Sequence, residues 1–197
     1  FLLRFDLSHP LVRAYRERKV CVVNSFRSEL AHKKAIFDLL TDEAVTAEFP
    51  ASERKAIRQY IPWTRVVRPV KTTYQEETVD LLDFVIKNRE KLVLKPNDGV
   101  GEQHVVRGWE SDTSNWERAL RRALRTPFVV QERVAPNFAV FPLLRYGQLE
   151  MKNMQVDLHP HAYLGKVQGC SSWLTTGESG FSSLAGLAPT FILEAKG

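Results

Sequence analysis

The stretch Lys91-Leu-Val-Leu-Lys-Pro-Asn-Asp-Gly-Val-Gly-Glu-Gln-His-Val-Val-Arg107 decides the reading of this chain. The short apolar run Leu92–Leu94 predicts a strand that ends in Lys95-Pro96. A glycine-bearing loop follows, and Val105-Val106 then predicts a second strand pairing back on the first. A lysine at a strand end beside such a loop combines a point charge with backbone N–H donors, which is phosphate-binding chemistry. The loop lacks the GxxxxGK[ST] pattern of a Walker A motif. A strand-end lysine in plain solvent is the competing reading.

Further along, Pro127-Phe-Val-Val-Gln-Glu-Arg-Val134 predicts another apolar strand ending in polar groups. Gln131 and Glu132 stand where strand-end N–H and C=O groups can meet an adenine edge, with Glu132 in reach of a ribose. An ordinary strand end is the alternative there.

The totals exclude several classes. The chain has 197 residues, 44% hydrophobic and 26% charged, enough for one sizeable core or two small lobes. No apolar stretch approaches the ~20 residues of a membrane helix. The start, Phe1-Leu-Leu-Arg-Phe-Asp6, lacks the features of a signal peptide and an initiator Met, and reads as the start of a C-terminal piece of a longer protein. Cys21 and Cys170 form no CxxC pair, which argues against a zinc site or a disulfide scaffold and for a cytoplasmic setting. The net charge of +5 invites nucleic acid, but the basic residues are interspersed with acids. The densest basic run, Arg118-Ala-Leu-Arg-Arg-Ala-Leu-Arg125, reads as the wet side of a helix. Nucleic acid and membrane are therefore not expected partners, and the oligomeric state is not legible.

Charge density marks a boundary near residue 135. Before it stand 24 Lys/Arg and 19 Asp/Glu, and after it 4 and 4. Three segments are expected: residues 1–60 packing on a core, a small α+β lobe over 61–135, and a strand-rich part over 136–197. In the first, 10–19 reads as a helix, Val20–Val23 as a strand, Ser28–Leu40 as one heavily buried helix capped by Ser28, and 52–60 as a charged helix. In the second, the order is strand (61–67), helix (79–88), strand, loop, strand, helix, strand. Ser114-Asn-Trp-Glu117 reads as a capping box, opening a helix with Trp116, Ala119, Leu120, Ala123 and Leu124 on one face. In the third, short strands are expected near 138–145, 149–158, 163–169 and Thr190–Leu193.

Three further positions could carry chemistry. Lys34, projected onto the 28–40 helix, falls on an apolar arc, where it either snorkels or serves a ligand; Asp38 offers it a salt bridge. Asp157 is a carboxylate among apolar residues, costly unless paired or on a metal. His159 and His161 are read as facing opposite ways along a strand, and so not as a metal pair.

In order and spacing these stretches resemble the ATP-grasp superfamily, and more narrowly the circularly permuted ATP-grasp proteins, including the bacterial glutathionylspermidine synthase-like ones. The resemblance is carried by Val22-Val-Asn-Ser-Phe-Arg-Ser28 with Lys34-Ala35, Ile61-Pro-Trp-Thr-Arg65, Val93-Leu-Lys-Pro-Asn-Asp98, Val129-Val-Gln-Glu-Arg133 and Pro189-Thr-Phe-Ile192. It implies an α+β fold of two lobes gripping ATP and Mg2+ in a cleft. It implies ligase chemistry in which a small-molecule carboxylate becomes an acylphosphate and an amine attacks it. Lys34 and Lys95 would hold phosphates; the loop with Asn97, Gly99 and Gly101 would cover them. Gln131, Glu132 and Val134 would bind adenine. Asp157 would be a metal ligand, with Glu178 the nearby carboxylate able to complete the metal site. The chain departs from the pattern in its glycine-poor loop Val100-Gly-Glu-Gln-His104, and in Trp173 and Phe181 where an arginine and an asparagine are expected. Those departures raise the alternative of a degenerate, inactive module with a structural or partner-binding role.

Overall fold

The computed structural model describes residues 6–99, 103–176 and 186–191. The fold is α+β with antiparallel sheets. It divides into two compact units, Phe1–Arg133 and Val134–Gly197, so residues 1–60 share a unit with the lobe that follows them.

The first unit opens with α1 (Pro10–Arg16), where His9 Nδ1 accepts from the Leu11 N–H at 3.2 Å and Pro10 occupies the first turn, a position that needs no N–H. Val20–Val23 is not a strand; Val23 is 80% exposed. The single helix expected from Ser28 is instead two, α2 (Ser28–His32) and α3 (Ile36–Leu40). The cause is Asn97: its carbonyl takes the Lys34 N–H at 3.2 Å and its Oδ1 takes the Ala35 N–H at 2.8 Å. Those donors therefore do not serve the i−4 carbonyls that would carry the helix through. The break also cancels the predicted burial, since no residue of α2 or α3 is fully buried and Leu30 is 76% exposed. Arg27, not Ser28, holds the cap position of α2, and it makes no side-chain cap bond. Next come α4 (Glu43–Thr46), capped by Asp42, and α5 (Ala51–Tyr60).

The central sheet is built from β1 (Thr64–Val66), β4 (Leu92–Pro96), β5 (Val106–Arg107) and β6 (Phe128–Glu132), in the order β1-β6-β4-β5. Between β1 and β4 lie a hairpin that the sequence reading missed, β2 (Lys71–Tyr74) and β3 (Glu77–Asp80), and α6 (Leu81–Lys87). The hairpin turn places Gln75 and Glu76 at φ 47° and 70°, the left-handed region that a hairpin turn needs and that costs a non-glycine residue ~1 kcal/mol or more. Before β6 runs α7 (Thr113–Ala123). Its cap is Asp112, accepting from the Asn115 N–H at 2.8 Å, so the expected Ser114–Glu117 box is corrected: Asp112 has the acceptor in place two residues earlier.

Antiparallel partners share a face, and the register sorts this sheet into two. Leu94 lies opposite Val130, and Leu92, Leu94, Phe128 and Val130 alternate onto one face. There they pack with Leu81 and Val85 of α6 and Trp116, Leu120 and Ala123 of α7. The Trp116 indole N–H donates to the Val85 carbonyl at 3.0 Å, so its polar atom is satisfied inside the core. The other face carries Val93 opposite both Gln131 and Arg107, Lys95 opposite Val129, and Thr64 opposite Gln131.

The second unit is a sheet of β7 (Phe138–Arg145), β8 (Gln148–Tyr163), β9 (Lys166–Thr175) and β10 (Gly186–Ala188), in the order β10-β9-β8-β7. Two-residue turns join its long strands, Tyr146-Gly147 at φ 50° and 78° and Leu164-Gly165 at φ 49° and 76°. Positive φ at both central residues fits the twist of the flanking strands. Strand β8 is longer than expected because the glycine-containing turns at its two ends, not its interior polar residues, bound it. Thr190 lies beyond β10, and residues 192 and 193 fall outside the described residues. The register also corrects the histidine reading. Side chains two apart on a strand point the same way, and Asp157, His159 and His161 share one face of β8, opposite Trp173, Ser171 and Gly169.

Gly108, just after β5, is the most closely approached by backbone among the described glycines. A Cβ there would fall on the Arg89 carbonyl and within 2.8 Å of the Leu92 carbonyl oxygen. Because both obstacles are backbone, Gly108→Ala should destabilise the unit by about 1–3 kcal/mol or more, the usual range for overpacking. Urea unfolding followed by Trp fluorescence measures it; a change below ~0.5 kcal/mol would refute the packing argument.

Candidate functional site

The second face of the central sheet holds a hydrogen-bonded polar track. Lys95 Nζ donates to Gln131 Oε1 at 2.7 Å, Gln131 Nε2 donates to Thr64 Oγ1 at 2.9 Å, and the Thr64 hydroxyl donates to the Pro62 carbonyl at 2.9 Å. Gln131 is 8% exposed and Thr64 fully buried. Buried polar groups of this kind are stable only when satisfied, and here each donor has found an acceptor. The sequence reading includes Thr64 in the stretch Ile61–Arg65 but gives it no role and no link to Gln131, because a strand threonine gives no pattern that marks one.

At one end of the track stands the loop that follows β4. Lys34 Nζ donates to the Gly99 carbonyl at 3.1 Å, and Asn97 holds the backbone of Lys34 and Ala35 as described. Beside them, Lys33 bridges Glu29 at 2.6 Å and Asp98 at 2.7 Å, with His32 3.6 Å from the same Asp98 carboxylate. The hydrogen bond and charge of Lys33 hold the Asp98 carboxyl below its usual range, and Asp98 and Glu29 in turn raise Lys33.

Lys95 is treated differently. Burial pushes its ammonium below the ordinary 10.5, and the charges of Lys34 and Arg107 push in the same direction. Among the described residues it has no carboxylate within ion-pair distance; its recorded partner is the neutral amide of Gln131. A half-buried cation with cationic neighbours and a neutral hydrogen-bond acceptor presents a positive field to an incoming anion.

The structure therefore brings Lys34, Lys95, Asn97, Gly99 and Gln131 together. Gly101 lies outside the described residues, as do Glu178 and Phe181. Glu132 does not join this group: strand alternation turns it to the face opposite Gln131. Its carboxylate accepts from the Tyr74 phenol at 2.9 Å. Burial first, and then this bond, push Tyr74 up to about 12, so it remains a neutral donor at ordinary pH. Tyr74 packs with Trp63 and Phe84 at ring-centroid distances of 5.2 and 4.5 Å. Glu132 thus anchors the β2–β3 hairpin. The backbone donors expected to meet a base edge are also engaged, the Glu132 N–H on the Trp63 carbonyl and the Arg133 N–H on the Lys91 carbonyl. Val134 follows them and is 67% exposed.

Asp38, the expected partner of Lys34, instead faces Arg65 at 3.8 Å. Arg65 is buried and donates to Thr41 Oγ1, the Thr64 carbonyl and Thr72 Oγ1 at 2.9, 2.7 and 2.6 Å. Asp157 lies in the second unit on β8. It is exposed rather than enclosed by apolar groups, and accepts from Gln155 Nε2 at 3.1 Å. Among the described residues no group of three or more His, Cys, Asp and Glu side chains could hold a metal ion. No helix among them is long and apolar enough to cross a membrane. No protein-family model matches this chain, and no curated protein matches it in sequence.

The depressed Lys95 ammonium has a pH consequence whose sign is fixed. Between its folded titration point and 10.5 the unfolded chain binds more protons than the folded one, so stability rises with pH through that window. Comparison with Lys95→Met isolates the effect. The stability difference should move in favour of the native protein as pH rises from 8 toward 10.5, read by urea unfolding at each pH. A pH-independent difference would mean that Lys95 titrates like a free lysine.

Proposed function

We propose that the first unit binds the phosphates of ATP·Mg2+ on the Lys95 face of its sheet, as part of an ATP-grasp carboxylate–amine ligase. The observation that carries this reading is the lysine itself: a half-buried ammonium held by Gln131, with Lys34 and Arg107 as neighbours and, among the described residues, no carboxylate within ion-pair distance. A cation so placed would be complemented by an anion. The adjacency of β4 and β6 supports the same reading, because it puts the lysine strand and the Gln131 strand side by side.

In this reaction a substrate carboxylate attacks the γ-phosphoryl group, ADP leaves, and an amine displaces phosphate from the acylphosphate. Lys95 and Lys34 would bind and orient the phosphoryl group, offering donors fixed before the charge develops. Asn97 holds the loop base against the segment that carries Lys34, so the two lysines keep their spacing. Magnesium, when bound with the nucleotide, supplies charge neutralisation.

A second reading, a degenerate module, is favoured by one observation. Trp173 stands opposite Asp157 in the β8–β9 register, where the resemblance expects an arginine. Calorimetry with ATP, with and without magnesium, separates the two. The ligase reading expects magnesium-dependent binding that weakens about tenfold or more in Lys95→Met and Lys34→Met, the loss of a charge-assisted bond. The exposed Lys55→Met should bind as the native protein does. No heat in any of these proteins would leave the degenerate module as the better reading.

A further inference from the structure

The polar track beneath Lys95 has a direction. A hydroxyl has one proton, and the Thr64 proton is directed to the Pro62 carbonyl at 2.9 Å. Only its lone pairs then face Gln131. The Gln131 amide must therefore present its NH2 group to Thr64, at 2.9 Å, and this turns its carbonyl oxygen to Lys95, at 2.7 Å. Were the Thr64 hydroxyl absent, the ammonium alone would orient the amide, and any flipped population would meet it donor to donor. The orientation of one buried side chain thus decides whether Lys95 has an acceptor.

We propose that Thr64 is the positioning residue of this site: through Gln131 it fixes where the Lys95 ammonium stands and keeps it in the charged, donating form by way of a neutral partner. A carboxylate at position 131 would also hold the lysine, but it would neutralise the field that attracts an anion. A neutral amide locked by a hydroxyl holds the group and leaves the field intact. As far as nucleotide affinity goes, this inference rests on the function proposed above; as far as the state of Lys95 goes, it does not.

The test reads both in the full chain. Competitive acetylation with mass spectrometry follows the reactivity of Lys95 against pH, with the exposed Lys55 as internal reference, and calorimetry follows ATP·Mg2+. Thr64→Val should raise Lys95 acetylation several-fold at pH 8, because the charged form loses its acceptor, and should weaken ATP binding about tenfold. Thr64→Ser restores the hydroxyl and should match the native protein within twofold in both. Gln131→Glu should move reactivity the other way, lowering Lys95 acetylation by pairing the ammonium, while still weakening ATP.

Native-like labelling in Thr64→Val, or a Thr64→Ser that behaves like Thr64→Val, would overturn the inference, the second because it would assign the effect to packing of the methyl group. Should Thr64→Val fail to fold, the serine and glutamate variants decide, and an unmoved Lys95 in Gln131→Glu overturns the proposal. Labelling that shifts as stated in a protein that binds no nucleotide would sink the function and leave the positioning role standing.

Discussion

The pairing of β4 with β6 is the constraint on which the first unit depends. It sets Leu94 against Val130 and Val93 against Gln131, and strand alternation does the rest. One face carries Leu92, Leu94, Phe128 and Val130 and takes α6 and α7. The other inherits Lys95, Gln131 and, through β1 and β5, Thr64 and Arg107. A slip of one residue would send Lys95 and Gln131 into the core and Leu94 out of it, so burial of the leucines holds the polar track in register. The stability of the unit and the geometry of its candidate site are consequences of the same ladder.

Asn97 ties a second part of the chain to that ladder. Placed just after Lys95-Pro96, it captures the backbone N–H groups of Lys34 and Ala35. A helix is thereby interrupted, and the interruption is what lets Lys34 reach the Gly99 carbonyl. Helical donors lost at the break are regained as bonds to Asn97, so the local cost is small. Lys33, one residue earlier, settles on Asp98 and Glu29 and serves only to fasten the segment.

What was legible in the sequence followed burial. Leu92–Leu94, Phe128–Val130 and the periodic face of Trp116, Leu120 and Ala123 are apolar runs whose spacing is set by the core they fill, and their strands and helix stand where the spacing puts them. The β2–β3 hairpin was not legible, since Gln75 and Glu76 occupy a turn that asparagine and glycine usually mark. Its hold comes from afar: the Trp63 indole on the Thr73 carbonyl, Arg65 on Thr72, Tyr74 on Glu132. The break at Lys33–Ala35 was hidden for the same reason, because Asn97 is more than sixty residues away. Of the candidate site, the lysines and Gln131 were visible as strand-end residues. Thr64 was not, and Glu132 was given a place in the site that strand alternation denies it.

Two of the cations that the first unit withdraws from solvent, buried Arg65 and half-buried Lys95, differ in what surrounds them. Arg65 is surrounded by acceptors, with donors on Thr41, Thr64, Thr72 and Thr73 and the Asp38 carboxylate at 3.8 Å. Burial lowers its titration point, and Asp38 and Asp42 oppose the fall. Every feature of that surrounding answers the charge within the protein, as a structural cation requires. Lys95 has burial and two cations acting against it, and a neutral amide in its favour. If stability alone had shaped both positions, Lys95 would be expected to carry a carboxylate as Arg65 does, or to be an apolar residue. Among the described residues the fold keeps the Lys95 charge with a neutral amide as its partner, so the contacts that account for Arg65 do not account for Lys95.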